Sequence, residues 1–292
     1  MKTEGRRQSE KIEDRRGQSA GGRRFPGGPI GAGGGLGLII IVVLALFLGV
    51  DPRQLIEQAT QGDPGAATEQ PAGPYQETAQ EAKRREMIAV VLAETEDTWT
   101  AVFKAAGKNY EKPALVLFSG QVESNCGFAQ AAAGPFYCPA DQRVFLDLSF
   151  FDDMSSKLGA AGDFAMAYVV AHEVGHHVQT LLGISNSVNT ERQQVSEAEA
   201  NALSVKLELQ ADCLAGIWAN REQKQQVLEA GDIEEAVNAA AAVGDDRLQK
   251  RAKGYVVPES FTHGSSADRV KWFKTGLQTG DMNQCDTFAG GN

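Results

Sequence analysis

Apolar residues recur at helical spacing between Glu81 and Gly107, at Ile88, Val91, Leu92, Trp99, Val102 and Phe103, which predicts an amphipathic helix. Pro113 to Phe118 is a short apolar run and Val144 to Phe150 alternates, so both predict strands. Between them a Gly/Ala/Pro stretch carrying Cys126 and Cys138 reads as a loop. The helical period returns from Asp163 to Leu182, with Gly183 as the expected C-cap. It recurs from about Ser196 to Arg221, from Asp232 to Lys250 with a break near Gly244, and from Asp268 to about Leu277. There is no internal repeat. Strands first and helices later predict an α+β fold, mostly helical.

The N-terminal third has a different pattern. No charge occurs from Phe25 to Val50, and Leu36 to Val50 is almost wholly aliphatic. With the Gly/Ala run before it, this stretch reaches the roughly 20 residues of a bilayer-spanning helix, predicted at 29–50. A cleaved signal peptide fits less well, because no small-residue cleavage site follows the apolar core. Basic residues flank the N-terminal side, which predicts a cytoplasmic N-terminus and a folded domain beyond the membrane. Residues 1–28, polar and Gly-rich, read as a disordered cytoplasmic segment. Residues 51–80, rich in Gln, Gly, Pro, Ala and Thr, read as a flexible linker, and the folded domain as 81–292.

Charge and cysteine usage sharpen this outline. Up to Val50 eight Lys/Arg stand against four acids, a net +4 in a chain whose total is −10, so the remainder carries −14. An acidic body excludes a nucleic-acid partner, which needs a basic face. All four cysteines, Cys126, Cys138, Cys213 and Cys285, lie past the apolar stretch, and an even number on the oxidising side of a membrane predicts two disulfides. Cys126–Cys138 is the local pairing, leaving Cys213–Cys285. A structural zinc site is the rival reading, but no Cys-x-x-Cys pair occurs.

The candidate chemistry centres on His172-Glu173-Val174-Gly175-His176. On a helix, positions 172 and 176 project from one face, so both imidazoles can hold one zinc, while Glu173 reaches the metal's water rather than the metal. Three of the four histidines of the chain are concentrated here. A catalytic zinc takes three protein ligands and keeps a position open for water. Glu208 is the expected third ligand, with Glu191, Glu197 and Glu199 as alternatives. Asp212, one turn beyond Glu208, is placed to accept the second N–H of a zinc-binding histidine. His177 points about 100° away from His176 and reads as a packed residue. His263, distant in sequence, is a candidate to stabilise an oxyanion, a role for which Tyr137 is a second candidate.

With these residues in place, the chain resembles the bacterial neutral zinc metallopeptidases, a family of membrane-anchored proteins. The likeness runs through Glu13-Asp-Arg-Arg-Gly17, Asp51-Pro52, Asn125-Cys126-Gly127, Tyr137-Cys138-Pro139, Ala171 to His177, Glu208-Leu-Gln-Ala-Asp-Cys213 and Phe261-Thr-His-Gly264. More remotely, Glu208-x-x-Ala-Asp212 and Thr262 to Arg269 are similar to elements of integral-membrane prenyl-protein-type peptidases, with Gly264 where those have proline. The resemblance implies a thermolysin-like zincin core: a small sheet with an edge strand, the zinc helix and a second ligand helix, with Val144 to Phe150 as the strand that substrate pairs with. It also implies one Zn²⁺ per chain, held by His172, His176 and Glu208, with Glu173 as general base. The expected function is a zinc-dependent endopeptidase acting on a protein or peptide substrate, anchored in the bacterial inner membrane with its catalytic domain outside the cytoplasm. The competing class is a membrane-tethered binding or assembly factor whose zinc is not catalytic.

Overall fold

The computed structural model describes residues 1–18, 75–131 and 134–289. Four strands form one sheet in the order β1 (Ile12–Asp14), β2 (Ala114–Phe118), β6 (Arg143–Asp147), β5 (Phe136–Cys138). β1, β2 and β6 run parallel and β5 antiparallel to β6. A separate hairpin, β3 (Gln121–Ser124) and β4 (Gly127–Gln130), is tied to β5 by the Cys126–Cys138 disulfide. Residues expected to form one loop thus supply three short strands. β6 also departs from expectation. It ends at Asp147, whose carboxylate accepts the N–H groups of Gly120 and Ser149, and the chain turns into α2 (Phe150–Ser156). β6 is moreover an inner strand with both edges paired, so it cannot receive an extended peptide; β5 is the edge on that side of the sheet.

Helices make up most of the domain. α1 (Ala79–Ala105) starts at a capping box in which Thr78 and Glu81 satisfy each other's backbone N–H groups. α3 (Asp163–Leu181) carries the His/Glu motif and is buried along nearly its whole length; Glu235 of α6 (Asp232–Ala242) accepts the Phe164 N–H at its start. Gly183 takes a left-handed φ of 79°, as its C-cap role predicts, and an unpredicted short helix, α4 (Ile184–Arg192), follows. α5 (Glu197–Lys224) begins with a second capping box, Ser196 and Glu199. α6 and α7 (Asp245–Lys253) divide at Gly244, where the break was expected, and α8 (Ser266–Thr279) closes the bundle. The core gathers Trp99, Phe164, Tyr168, Trp218 and Phe273, with Phe164 stacked on Trp218 at 5.4 Å.

Two glycine contacts set the helix spacing. α5 and α8 cross backbone to backbone: a Cβ on Gly276 would lie 1.9 Å from the Cys213 carbonyl oxygen, and one on Gly216 would lie 2.1 Å from that of Phe273. Gly175, inside the motif, lets α3 approach α5, with the space for its Cβ 3.0 Å from the Ala211 carbonyl oxygen. The second disulfide, Cys213–Cys285, ties the chain's last turn to α5.

The N-terminal segment differs most from its composition. Residues 1–18, read from sequence as disordered, pack on the domain. β1 pairs with β2 in the register Ile12↔Leu115 to Asp14↔Leu117, and Ser9 N–H donates to the Ala89 carbonyl at 2.9 Å. The Met1 amino group lies between Asp163 and Asp232, at 2.8 and 3.2 Å. Arg16, buried, bridges Asp14 and Glu77. The acids of the domain compensate the basic segment, which is why charge did not keep it in solvent. Gly17 also lies against Tyr75, so the chain leaves the described fold and rejoins it at one place. The span predicted at 29–50 and most of the 51–80 linker lie outside the described residues. Among the described residues no helix is long and apolar enough to cross a membrane. Residues 1–18 belong to the same packed body as the domain from residue 75 onward.

Candidate metal centre

α3 presents His172 and His176 one turn apart, their rings nearly perpendicular at a centroid distance of 4.8 Å. α5 brings Glu208 between them. Its Oε2 lies 3.2 Å from His172 Nε2, and its Oε1 lies 3.4 Å from His176 Nε2. Two donors each about 2.0–2.1 Å from one tetrahedral ion stand roughly 3.3–3.4 Å apart, so the spacing fits zinc. Two imidazoles and a carboxylate are also the donor set of an open catalytic zinc site. Among the described residues one other acidic group has metal-like spacing, Asp163, Asp232 and Glu235, and the Met1 amino group already bonds its two aspartates. Glu191, Glu197 and Glu199, the alternative third ligands, are exposed, and Glu199 is spent in its capping box.

Both rings are fixed from behind. His172 Nδ1 donates to Asp212 Oδ1 at 2.9 Å, and His176 Nδ1 to Gln179 Oε1 at 2.9 Å. These bonds place a proton on each Nδ1 and turn both Nε2 atoms toward Glu208, where a metal ion can take the place of a second proton. Asp212 is wholly buried and also accepts from Tyr168 OH and from Arg269 Nε and Nη2, the last two at 2.8 and 3.0 Å. Burial opposes charge on His172, but Asp212 and Glu208 outweigh it and push the imidazole up to about 10. Burial likewise works against the Glu208 carboxylate, yet His176 and His172 hold it well below the usual range. The cluster therefore has a strong affinity for positive charge at its centre. Burial raises the Glu173 carboxyl, with His176 and His172 pulling it back.

Residues 1–288 match the family described as "Putative neutral zinc metallopeptidase". The chain belongs to this family. It is 50% identical over 298 residues to the protein YpfJ of Escherichia coli K12, covering 99% of both chains. It is 41% identical over 261 residues to the protein Rv2575 of Mycobacterium tuberculosis, covering 84% of this chain and 85% of that one. Both relatives are described as uncharacterized. No solved structure matches.

In this family member the remaining candidates separate clearly. The Thr262–Gly264 turn lies on Val205 and Leu209 of α5, the helix that carries Glu208, while His263 itself is not among the residues grouped at the metal centre. Asp245 pins this turn by accepting the N–H groups of Thr262, His263 and Gly264, and it lies 3.3 Å from His263 Nδ1. His177 is wholly buried and apart from the metal cluster. Its Nε2 donates to the Glu111 carbonyl at 2.6 Å, which leaves Nδ1 to accept from Tyr137 OH at 2.9 Å. The Tyr137 hydroxyl thus donates to His177. Sequence reasoning gives no role to Asp245 or Gln179, and none to Arg269 beyond its place at the end of the Thr262 to Arg269 resemblance. Their signal is thin, each being one polar side chain in an otherwise ordinary helix.

Proposed function

We propose that this protein is a zinc-dependent endopeptidase. The observation that carries the reading is the convergence of His172 Nε2, His176 Nε2 and Glu208 at zinc-ligand spacing, beside a buried Glu173. When bound, zinc would supply a Lewis acid that lowers the pKa of water and polarises a peptide carbonyl. Glu173 accepts the proton of the attacking water and delivers it to the leaving nitrogen, work for which a carboxyl raised by burial is suited. His263, held through Asp245, donates from Nε2 to the developing oxyanion. An extended peptide adds to the outer edge of β5. Three ligands rather than four favour this reading over a binding factor with a closed structural zinc; among the described residues no fourth His, Cys, Asp or Glu joins the cluster. Peptide cleavage by the full-length protein should be lost with a chelator and restored by Zn²⁺. Cleavage indifferent to chelation would exclude a zinc mechanism.

We further propose that the charge-free stretch at 25–50 attaches the protein to a bilayer, with residues 1–18 and the folded domain on the same side of it. Supporting this are the pairing of β1 with β2 and the meeting of Gly17 with Tyr75. The disulfides favour the oxidising face, the periplasmic side of the inner membrane. In intact cells a membrane-impermeant thiol reagent should label Gln8→Cys and Lys271→Cys alike. Labelling of one position alone would restore the single crossing.

A further inference from the structure

Behind His176 a chain of amides runs away from the metal centre. His176 Nδ1 donates to Gln179 Oε1 at 2.9 Å. Gln179 Nε2 donates to the Leu207 carbonyl at 2.8 Å and to Gln210 Oε1 at 3.1 Å. Gln210 Nε2 donates to the carbonyl of Cys285 at 3.0 Å. Cys285 is fixed by its disulfide to Cys213, the residue after Asp212. Every donor points the same way, so the orientation of each amide follows from the next. Gln179 is wholly buried and Gln210 nearly so, and neither belongs to the metal cluster.

We infer that Gln179 and Gln210 are positioning residues for the ligand His176, and that the Cys213–Cys285 disulfide is the fixed end against which they are set. The inference rests on the zinc reading of the site. Without an anchored acceptor at its far end, Gln210 is free to rotate its amide. Gln179 then keeps only the Leu207 carbonyl as acceptor for its Nε2, and the amide that holds His176 Nδ1 is less tightly set. Partners of this kind on zinc-binding imidazoles typically change metal affinity by roughly 10- to 100-fold. The two ligand rings are therefore held differently: His172 by a carboxylate inside the helix bundle, His176 by neutral amides reaching to the chain's last turn.

The test is Zn²⁺ affinity of the full-length protein by competition with a chromophoric chelator, with the melting temperature of each metal-free variant recorded beside it. Gln179→Met should bind zinc roughly 10- to 100-fold more weakly than wild type. Gln179→Glu, which keeps an acceptor for Nδ1 but has no N–H for the Leu207 and Gln210 oxygens, should recover only part of that loss. Gln210→Met and the double variant Cys213→Ser/Cys285→Ser should each weaken binding several-fold, whereas Cys126→Ser/Cys138→Ser should leave it unchanged. Gln210→Met, remote from the ligands, serves if Gln179→Met does not fold. Folded Gln179 and Gln210 variants with wild-type affinity, or equal losses on removing either disulfide, would overturn the inference. Failure of the wild type itself to bind zinc would overturn the zinc reading instead.

Discussion

Arg269 and Asp212 form a two-pronged ion pair, Nε to Oδ2 at 2.8 Å and Nη2 to Oδ1 at 3.0 Å, with both side chains almost completely buried. The guanidinium also reaches Tyr168 OH at 3.2 Å and stands 4.0 Å from Glu208. One cation from α8 thus stabilises the carboxylate that orients His172. Arg269→Leu leaves Asp212 buried without its counter-charge, and we expect a loss of roughly 3–5 kcal/mol in chemical denaturation of the metal-free protein. Arg269→Lys should not recover it, because one ammonium cannot reproduce the fork. A loss under about 1 kcal/mol, within the range of an exposed pair, would contradict this assignment.

The same helix is set by a backbone crossing. Gly276→Ala would place a methyl group 1.9 Å from the Cys213 carbonyl oxygen. α8 has to withdraw from α5, taking Arg269 with it. The variant should lose about 1–3 kcal/mol or more to urea. A protein as stable as wild type would show that the crossing has slack that the structure does not contain.

Glu222 supplies a pH dependence of stability. Its side chain is wholly buried in α5 and its two carboxyl oxygens have no hydrogen-bond partner among the described residues. Burial, reinforced by Glu94, pushes it up to about 7 from an ordinary 4.5, while Arg6 at 4.0 Å and Arg221 pull it down and Asp97 pushes it up. Between these values the folded chain holds a proton that the unfolded chain has lost. This group's contribution is therefore complete below about pH 4.5 and is lost as pH rises through about 7. The loss is on the order of 3 kcal/mol. Denaturation across pH 4.5–8 should show this decline in wild type and a flatter curve in Glu222→Gln. Superimposable curves would remove Glu222 as its source.

The parts of the site that spacing carries were legible, whereas the meeting of the two helices was an expectation from the motif and the resemblance. Spacing puts His172 and His176 on one face, and Glu208 and Asp212 on one face of a second helix; the structure sets these two faces against each other. The two disulfides also pair as expected. Other features depend on tertiary partners that no local pattern reveals. Ile12-Glu-Asp14 has no strand signal of its own and becomes β1 only because β2 offers an edge and acids meet its arginines. The run Val144 to Leu146, buried throughout, fits an inner parallel strand better than the edge strand it was expected to be. Arg269, Asp245, Gln179 and Gln210 matter through what they face, and those facing groups lie 17 to 101 residues away or in the next turn.

The most direct measurement compares wild type with Glu173→Gln, both full-length, for bound zinc and for peptide hydrolysis. The ligand atoms belong to His172, His176 and Glu208, so the variant should hold one zinc per chain with unchanged affinity while its cleavage rate falls on the order of 10³-fold. A Glu173→Gln protein that loads zinc and cleaves peptides at the wild-type rate would contradict the account.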